Sequence, residues 1–307
     1  MSDKISKEPL VSVCIVTYNS ASFIIEALDS VVDQTYRNIE LIISDDCSND
    51  ETVDICHQWL SNNSQRLVNS EIVTIEKNTG TSANCNRAVK HSHGLWIKIL
   101  AGDDKLLPNC IEDNVAFVNN HPKTELLFSD MRVIGPNETG DKVLSRSFFF
   151  EKLNLPEFKR YFFCHNFLPA PSSFVSRDLY DTLGGFDEKI PFMEDKPFYL
   201  RAIWGNHIPL YIKKSTVCYR IHSESMSFGT NLKSKYLDSC KLLNSWVLDY
   251  LRKEYPALWF YRRNYEAYQD NPSTINLMLH MLRFVNPAFY YYKYISYKVR
   301  FYLHFSN

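Results

Sequence analysis

Residues 11–20 read VSVCIVTYNS, and the way this run ends decides how the chain is built. Val11–Thr17 is a short apolar stretch rich in β-branched side chains, the pattern of a buried strand. It stops in the polar Tyr18-Asn19-Ser20, with neither G-x-G-x-x-G nor G-x-x-x-x-G-K-[ST] after it. The dinucleotide fingerprint and the P-loop are therefore excluded, and phosphate handled here must be neutralised by side chains and metal. Outward from this strand the pattern alternates. Ser22–Asp33 has helical spacing, with Phe23, Ala27, Leu28, Val31 and Val32 on one side, and Ile39–Ser44 is a strand closing in Asp45-Asp46. Thr52–Leu60 predicts a helix, Ile72–Ile75 a strand, Ser82–His91 a helix capped by Thr81 or Ser82, and Leu95–Leu100 a fourth strand. This order predicts an α/β fold, a mostly parallel sheet with helices on both faces.

Ligands of such sheets sit beyond the carboxyl ends of the strands. Thr17-Tyr18-Asn19, Asp45-Asp46 and Asp103-Asp104 all fall there, which predicts one shared site. The last pair closes the stretch WIKILAGDDKLLPN, residues 96–109. Gly-Asp-Asp is ordinary turn chemistry, but two adjacent carboxylates at a buried strand's end also suit a bound cation. Further on, Gly184-Gly185 marks a tight turn, Glu194 and Asp195 precede a helix with Pro197 just inside its start, and Arg220 and His222 lie in VCYRIHSESMSF.

The 307 residues allow a large core in one domain or two. With 45% apolar and 22% charged residues and a net charge of -1, the chain has no basic excess to favour nucleic acid. No stretch of 18 uninterrupted apolar residues predicts a transmembrane helix, and the N-terminal residues lack the apolar region of a signal peptide. Eight cysteines without C-x-x-C pairing read as reduced core residues, fitting a cytoplasmic location.

From Gly229 the character changes, so a first domain of residues 1–228 and an extension of residues 229–307 are expected. Residues 231–307 carry 11 Lys and Arg against 5 Asp and Glu, and nine of the seventeen residues from Phe289 to Phe305 are Phe or Tyr. Tyr294, Tyr297, Phe301 and Phe305 recur at helical spacing with Lys293, Lys298 and Arg300 between them. A helix lying on an anionic membrane surface has this composition; packing on the core or on a second copy in a homodimer is the alternative.

Six stretches in order carry a resemblance over about residues 10–225: VSVCIVTYNS, SVVDQTYRNIELIISDDCSNDET, NTGTSANCNRAV, ILAGDDKLLP, LGGFDEKIPFMEDKPFYLR and YRIHSESMS. Together they resemble glycosyltransferase family 2, the inverting nucleotide-sugar enzymes with the GT-A fold. The resemblance implies a UDP-sugar donor, with Tyr18 against the uracil, Thr17 and Asn19 shaping the turn, and Asp46 accepting from the base N3–H. Asn78, Gly80 and Asn86 would border the nucleotide. Cys85 stands where the family usually has an arginine, and Arg87 is a nearby substitute for its charge. Asp104 would bind Mn²⁺ or Mg²⁺, Asp103 the ribose, and His222 would complete the metal or diphosphate site. The usual upstream aspartate of that motif is Ala101 here. Asp195 matches the catalytic base, with Glu194 able to exchange roles with it.

The expected protein is thus a cytoplasmic enzyme, peripheral on the inner face of the cell membrane. It would move a sugar to a glycan hydroxyl on a lipid carrier, in surface polysaccharide or O-antigen synthesis. The alternatives are a nucleotidyltransferase acting on sugar phosphates, disfavoured because TYNSAS has no glycine and no basic residue, and an inactive nucleotide-sugar-binding scaffold.

Overall fold

A computed structural model describes residues 8–136, 138–164, 167–223, 238–239 and 241–243. Apart from those last five residues, the basic and aromatic stretch from Gly229 onward, Phe289–Phe305 included, lies outside the described residues.

The elements follow in the order β1 (Val11–Thr17), α1 (Ile24–Val32), β2 (Ile39–Asp45), α2 (Thr52–Asn63), β3 (Asn69–Val73), α3 (Thr81–Lys90) and β4 (Trp96–Ala101). Next come β5 (Lys105–Leu106), α4 (Cys110–Asn120), β6 (Leu126–Gly135), β7 (Glu138–Leu144), α5 (Ser147–Lys152) and α6 (Leu155–Cys164). The series closes with β8 (Phe174–Ser176), α7 (Arg177–Thr182), α8 (Asp195–Trp204) and β9 (Leu210–Arg220). One sheet runs β3-β2-β1-β4-β8-β6-β9-β5, with β7 paired to β6. Strands β3, β2, β1 and β4 are mutually parallel, and β8 joins β4 antiparallel through Trp96↔Ser176 and Ile97↔Val175.

The apolar face of β1 (Val11, Val13, Ile15) packs in one cluster with Ile24, Leu28 and Val31 of α1 and Cys110 and Ile111 of α4. Helix α3 packs on β1 and β2, with Cys85, Ala88 and Val89 buried. A parallel strand covered on both faces has no solvent side, which is why β1 and β2 are buried along their whole length.

Three details depart from the sequence expectation. Strand β3 begins at Asn69 instead of Ile72, because the polar Asn69, Ser70 and Glu71 pair with Glu40, Leu41 and Ile42 at the edge of the sheet. Neither Thr81 nor Ser82 caps α3: Gly80 is the N-cap residue at φ +89°, and the Ser82 hydroxyl donates instead to the Ile190 carbonyl at 2.7 Å. Helix α1 spans Ile24–Val32, shorter at both ends than the expected Ser22–Asp33. The Gly184-Gly185 turn has positive φ at both residues, as its sequence suggests.

Candidate active site

The carboxyl end of β1 is tied down by polar contacts. Thr17 is buried, and its hydroxyl donates to Asp45 at 2.7 Å while its carbonyl accepts from the Asp46 N–H at 3.0 Å. Asp45 also accepts from the Ser48 N–H at 2.8 Å. Asn19, at φ 52°, donates its N–H to the Ser48 hydroxyl and accepts from the Asn49 N–H, both at 2.8 Å. Asparagine tolerates this left-handed conformation. Between these anchors Tyr18 is left 43% exposed at the strand's mouth.

Asp46 faces inward. Its carboxylate accepts from the Thr79 N–H (3.0 Å), the Thr79 hydroxyl (2.7 Å), the Gly80 N–H (2.8 Å) and Nη2 of Arg87 (3.0 Å). Its carbonyl accepts from Asn78 at 3.1 Å. The side chains of Arg87 and Asp46 are only 14% and 3% exposed, so this is a buried ion pair. Arg87 also reaches the Ser44 hydroxyl (3.0 Å) and Oδ1 of Asn84 (2.8 Å). Its guanidinium is shared among these partners, so the charge it would lend in place of Cys85 is paired with Asp46. Cys85 is fully buried, and burial with Glu194 close by raises its thiol well above the usual range.

Asn86 lies on a different contact. Its amide oxygen accepts from the Tyr180 hydroxyl (2.6 Å) and the Phe186 N–H (2.9 Å), and its amide nitrogen donates to Glu188 (2.7 Å). Two turns of α3 therefore hold the 180–191 segment, through Asn86 and through Ser82, whose N–H also bonds the Pro191 carbonyl at 3.1 Å. The structure does not bring Asn86 into the Asp46 cluster; it clasps the chain that leads to Glu194.

At the end of β4, Asp103 and Asp104 part company. Asp104 is buried, and one of its oxygens accepts the Arg220 backbone N–H at 2.8 Å. Burial, followed by the neighbouring Asp103, pushes its carboxyl well above the ordinary range. Asp103 stays 27% exposed and meets Nε2 of His222 at 2.9 Å. His222 thus lies against the Asp103 member of the pair. The His222 ring lies against Phe23, tilted by 43° with centroids 4.7 Å apart, and the Arg220 guanidinium covers the same ring at 4.8 Å. Arg220 donates through Nε to the Asp103 carbonyl at 2.8 Å and comes within 2.9 Å of Glu26, which Lys105 also approaches at 3.2 Å. Against the opposing effect of partial burial, these two cations hold the Glu26 carboxyl below its usual range. Phe23 was read only as part of a helix's apolar side, and Glu26 and Lys105 escaped the sequence reading; their only signal was proximity to strand ends, which many surface residues share.

Glu194 is the N-cap residue of α8 and Asp195 its first residue. Burial, then Asp195, raises Glu194 from its ordinary 4.5 to about 7. Among the described residues no three His, Cys, Asp or Glu side chains converge as a ready-made metal cluster. Asp103, Asp104 and His222 nonetheless offer hard oxygen donors and an imidazole, a donor set that Mn²⁺ or Mg²⁺ accepts. A cation would also relieve the like-charge contact that raises Asp104.

Residues 12–182, more than half of the chain, match the family described as glycosyl transferase family 2. The chain belongs to this family. Similar proteins match over a larger share of the chain. An uncharacterized glycosyltransferase of Methanocaldococcus jannaschii is 28% identical over 78% of this chain and 80% of its own length. TarS of S. aureus, residues 1–349 in complex with UDP-GlcNAc, superposes with a TM-score of 0.64 at 20% identity, over 89% of this chain and 79% of that one. A mannosyltransferase of Pyrobaculum calidifontis, in complex with GDP-Man and Mn²⁺, gives 0.56 at 14% identity, over 90% and 84%. Both structural likenesses establish the GT-A architecture. This family 2 glycosyltransferase therefore carries two acidic pairs, Asp103-Asp104 and Glu194-Asp195, on a sheet of that type. Among its described residues, no helix is long and apolar enough to cross a membrane.

Proposed function

We propose that this glycosyltransferase transfers a sugar, with inversion, from a UDP-sugar to a hydroxyl of a glycan acceptor. The observation that carries the reading is the separation of two acidic pairs into different environments. One, with His222, is suited to a cation; the other, at the start of α8, contains a carboxyl raised to about 7. Inversion is a single in-line displacement, so one carboxylate must take the proton from the acceptor hydroxyl opposite the departing nucleotide. Asp195 is the base in this account. Glu194, neutral over much of the acidic range, keeps a second negative charge from forming beside it until the pH approaches 7.

The exposed Tyr18 ring offers a stacking surface to the uracil, with Thr17 and Asn19 holding its turn. Asp46, with Asn78 on its carbonyl, forms the base-recognition floor; a base N–H would join the donors that Asp46 already accepts. Asn86 contributes through the segment it clasps. Asp103 takes the ribose, and Asp104 and His222, with Asp103 next to them, would hold Mn²⁺ or Mg²⁺. Such a cation supplies charge neutralisation for the leaving diphosphate. TarS with UDP-GlcNAc supports a UDP-sugar, and the mannosyltransferase with Mn²⁺ supports the metal.

The same reading assigns residues 1–228 to the transferase domain and residues 229–307 to an extension. The Lys, Arg, Tyr and Phe content of that extension favours an anionic membrane surface over a homodimer contact. A lipid-linked glycan acceptor on the cytoplasmic side of the cell membrane, in surface polysaccharide or O-antigen synthesis, follows from it.

A panel of UDP-, GDP- and CDP-sugars with Mn²⁺, followed by release of free nucleotide, tests the proposal. Turnover with a UDP-sugar, abolished by Asp104→Asn and by Asp195→Asn, is expected. Absence of binding by every nucleotide-sugar in the presence of metal would refute it.

A further inference from the structure

Strand β4 contains a lysine in the middle of the sheet. Lys98 is paired in register with Val13 of β1, is wholly inaccessible to solvent, and ranks with the phenylalanines of the core among the largest fully buried side chains. Its strand neighbours on the same face are Trp96, stacked on Phe174 at 4.8 Å, and the buried Leu100. Burying an ammonium costs several kcal/mol unless it is bonded and balanced by charge, and a methionine would fill the same volume without that cost. A lysine here calls for an account in terms of what it holds.

What it holds is backbone. The β4–β8 ladder ends at Ile97↔Val175. Upstream of β8 the chain leaves the ladder in a 3-10 turn, Ala170–Ser172. Lys98 Nζ donates to two carbonyls of this segment, Pro171 at 2.7 Å and Ser173 at 3.2 Å. Because β8 runs antiparallel to β4, this turn stands at the carboxyl end of β4, the end that carries Asp103 and Asp104. Tyr199 of α8, four residues from Asp195, meets the ring of Phe128 of β6 edge-on at 4.9 Å. Ser172 carries the same turn to β6, its hydroxyl accepting from the Ser129 N–H at 3.2 Å. Burial lowers the Lys98 ammonium, and Cys110 and Asp104 oppose that shift.

We propose that Lys98 is a positioning residue of the transfer reaction, its buried ammonium fixing the 170–173 turn as a wall between the Asp103-Asp104 end of the site and the Glu194-Asp195 end. The inference rests on the transferase reading above. The turn, Ser172, the β6 residues Ser129 and Phe128, and Tyr199 form a chain of contacts from the strand carrying one acidic pair to the helix carrying the other. Lys98 therefore acts on the distance between donor and base and not on the donor's affinity.

The test is Lys98→Met, which keeps the volume and removes the charge, alongside Lys98→Gln, which keeps a donor for the carbonyls. Turnover, donor KM, UDP affinity and thermal stability are measured on both, with hydrogen exchange of the 168–176 peptide as a readout independent of chemistry. Lys98→Met should lower kcat about tenfold or more with donor KM and UDP affinity within about threefold, and accelerate exchange in that peptide. Lys98→Gln should recover part of both. If Lys98→Met does not fold, Lys98→Gln is read against wild type by the same split. Wild-type-like kcat and exchange in the variants would overturn the proposal, as would losses of kcat and UDP affinity in equal proportion. Should wild type itself turn over no UDP-sugar, the transferase reading fails by that result. Unchanged exchange in the 168–176 peptide would then separately refute the role of Lys98.

Discussion

A Cβ added to Gly80 would stand 2.7 Å from the carbonyl oxygen of Pro191, so the loop after β3 and the segment leading to Glu194 touch with no room for a methyl group. Gly80 also bonds Asp46 through its N–H and holds φ at +89°. One residue thus serves the floor of the candidate nucleotide site and the approach to the candidate base. Gly80→Ala must strain the backbone and push the two segments apart, at about 1–3 kcal/mol. A fall in thermal midpoint together with a fall in kcat is expected, read by calorimetry and nucleotide release.

Arg87 and Asp46 form a buried ion pair at 3.0 Å. Removing the cation leaves a buried carboxylate supported only by Thr79 and Gly80. Arg87→Met should cost about 3 kcal/mol in a denaturant titration and weaken UDP binding. Arg87→Lys should recover little, since a point charge cannot reach Ser44, Asn84 and Asp46 together.

The Glu194 carboxyl, raised from 4.5 to about 7, gives a pH dependence with a definite sign. Between these values the folded state holds a proton that the unfolded chain has lost. Stability therefore declines as pH rises from about 4.5 to about 7 and levels off above. Glu194→Gln should flatten that slope in melting curves recorded across the window. The same substitution should remove the inflection near pH 7 from the kcat/KM profile, an inflection that belongs to the Glu194-Asp195 pair as a whole.

His222 meets Asp103 at 2.9 Å and is held by the ring of Phe23 at 4.7 Å. His222→Ala should raise the Mn²⁺ concentration needed for half-maximal activity by about 10–100-fold, the range for a ligand or its support. Phe23→Ala should do so less, because it loosens the imidazole without removing it. Metal titrations of the three proteins check the ranking.

Strand and helix order up to β4 was legible because apolar periodicity and chain order suffice for parallel βα units, as Val11–Thr17 and Ile39–Asp45 illustrate. Beginnings of elements were less so. Strand β3 enters the sheet through polar residues that only a neighbour's register recruits, and Gly80, not a hydroxyl residue, starts α3. In the candidate site, residue types at strand ends named a neighbourhood, while partners did not follow from spacing. Arg87 turning to Asp46, Asn86 to Phe186 and His222 to Asp103 are all choices made by loops folding back from distant parts of the chain. Lys98 was invisible for the opposite reason: a lysine inside WIKILA reads as a solvent-facing interruption of a strand, and only the turn at 170–173 makes it interior.

The account's central claim is a single displacement at the anomeric carbon, assisted by a carboxylate at the start of α8. The anomeric configuration of the first product, followed by proton NMR during transfer from an α-linked UDP-sugar, tests it most directly. A β-linked product from wild type, with Asp195→Asn slowed by about 10²-fold or more, is the predicted result. An α-linked product, or an Asp195→Asn variant as fast as wild type, would contradict it.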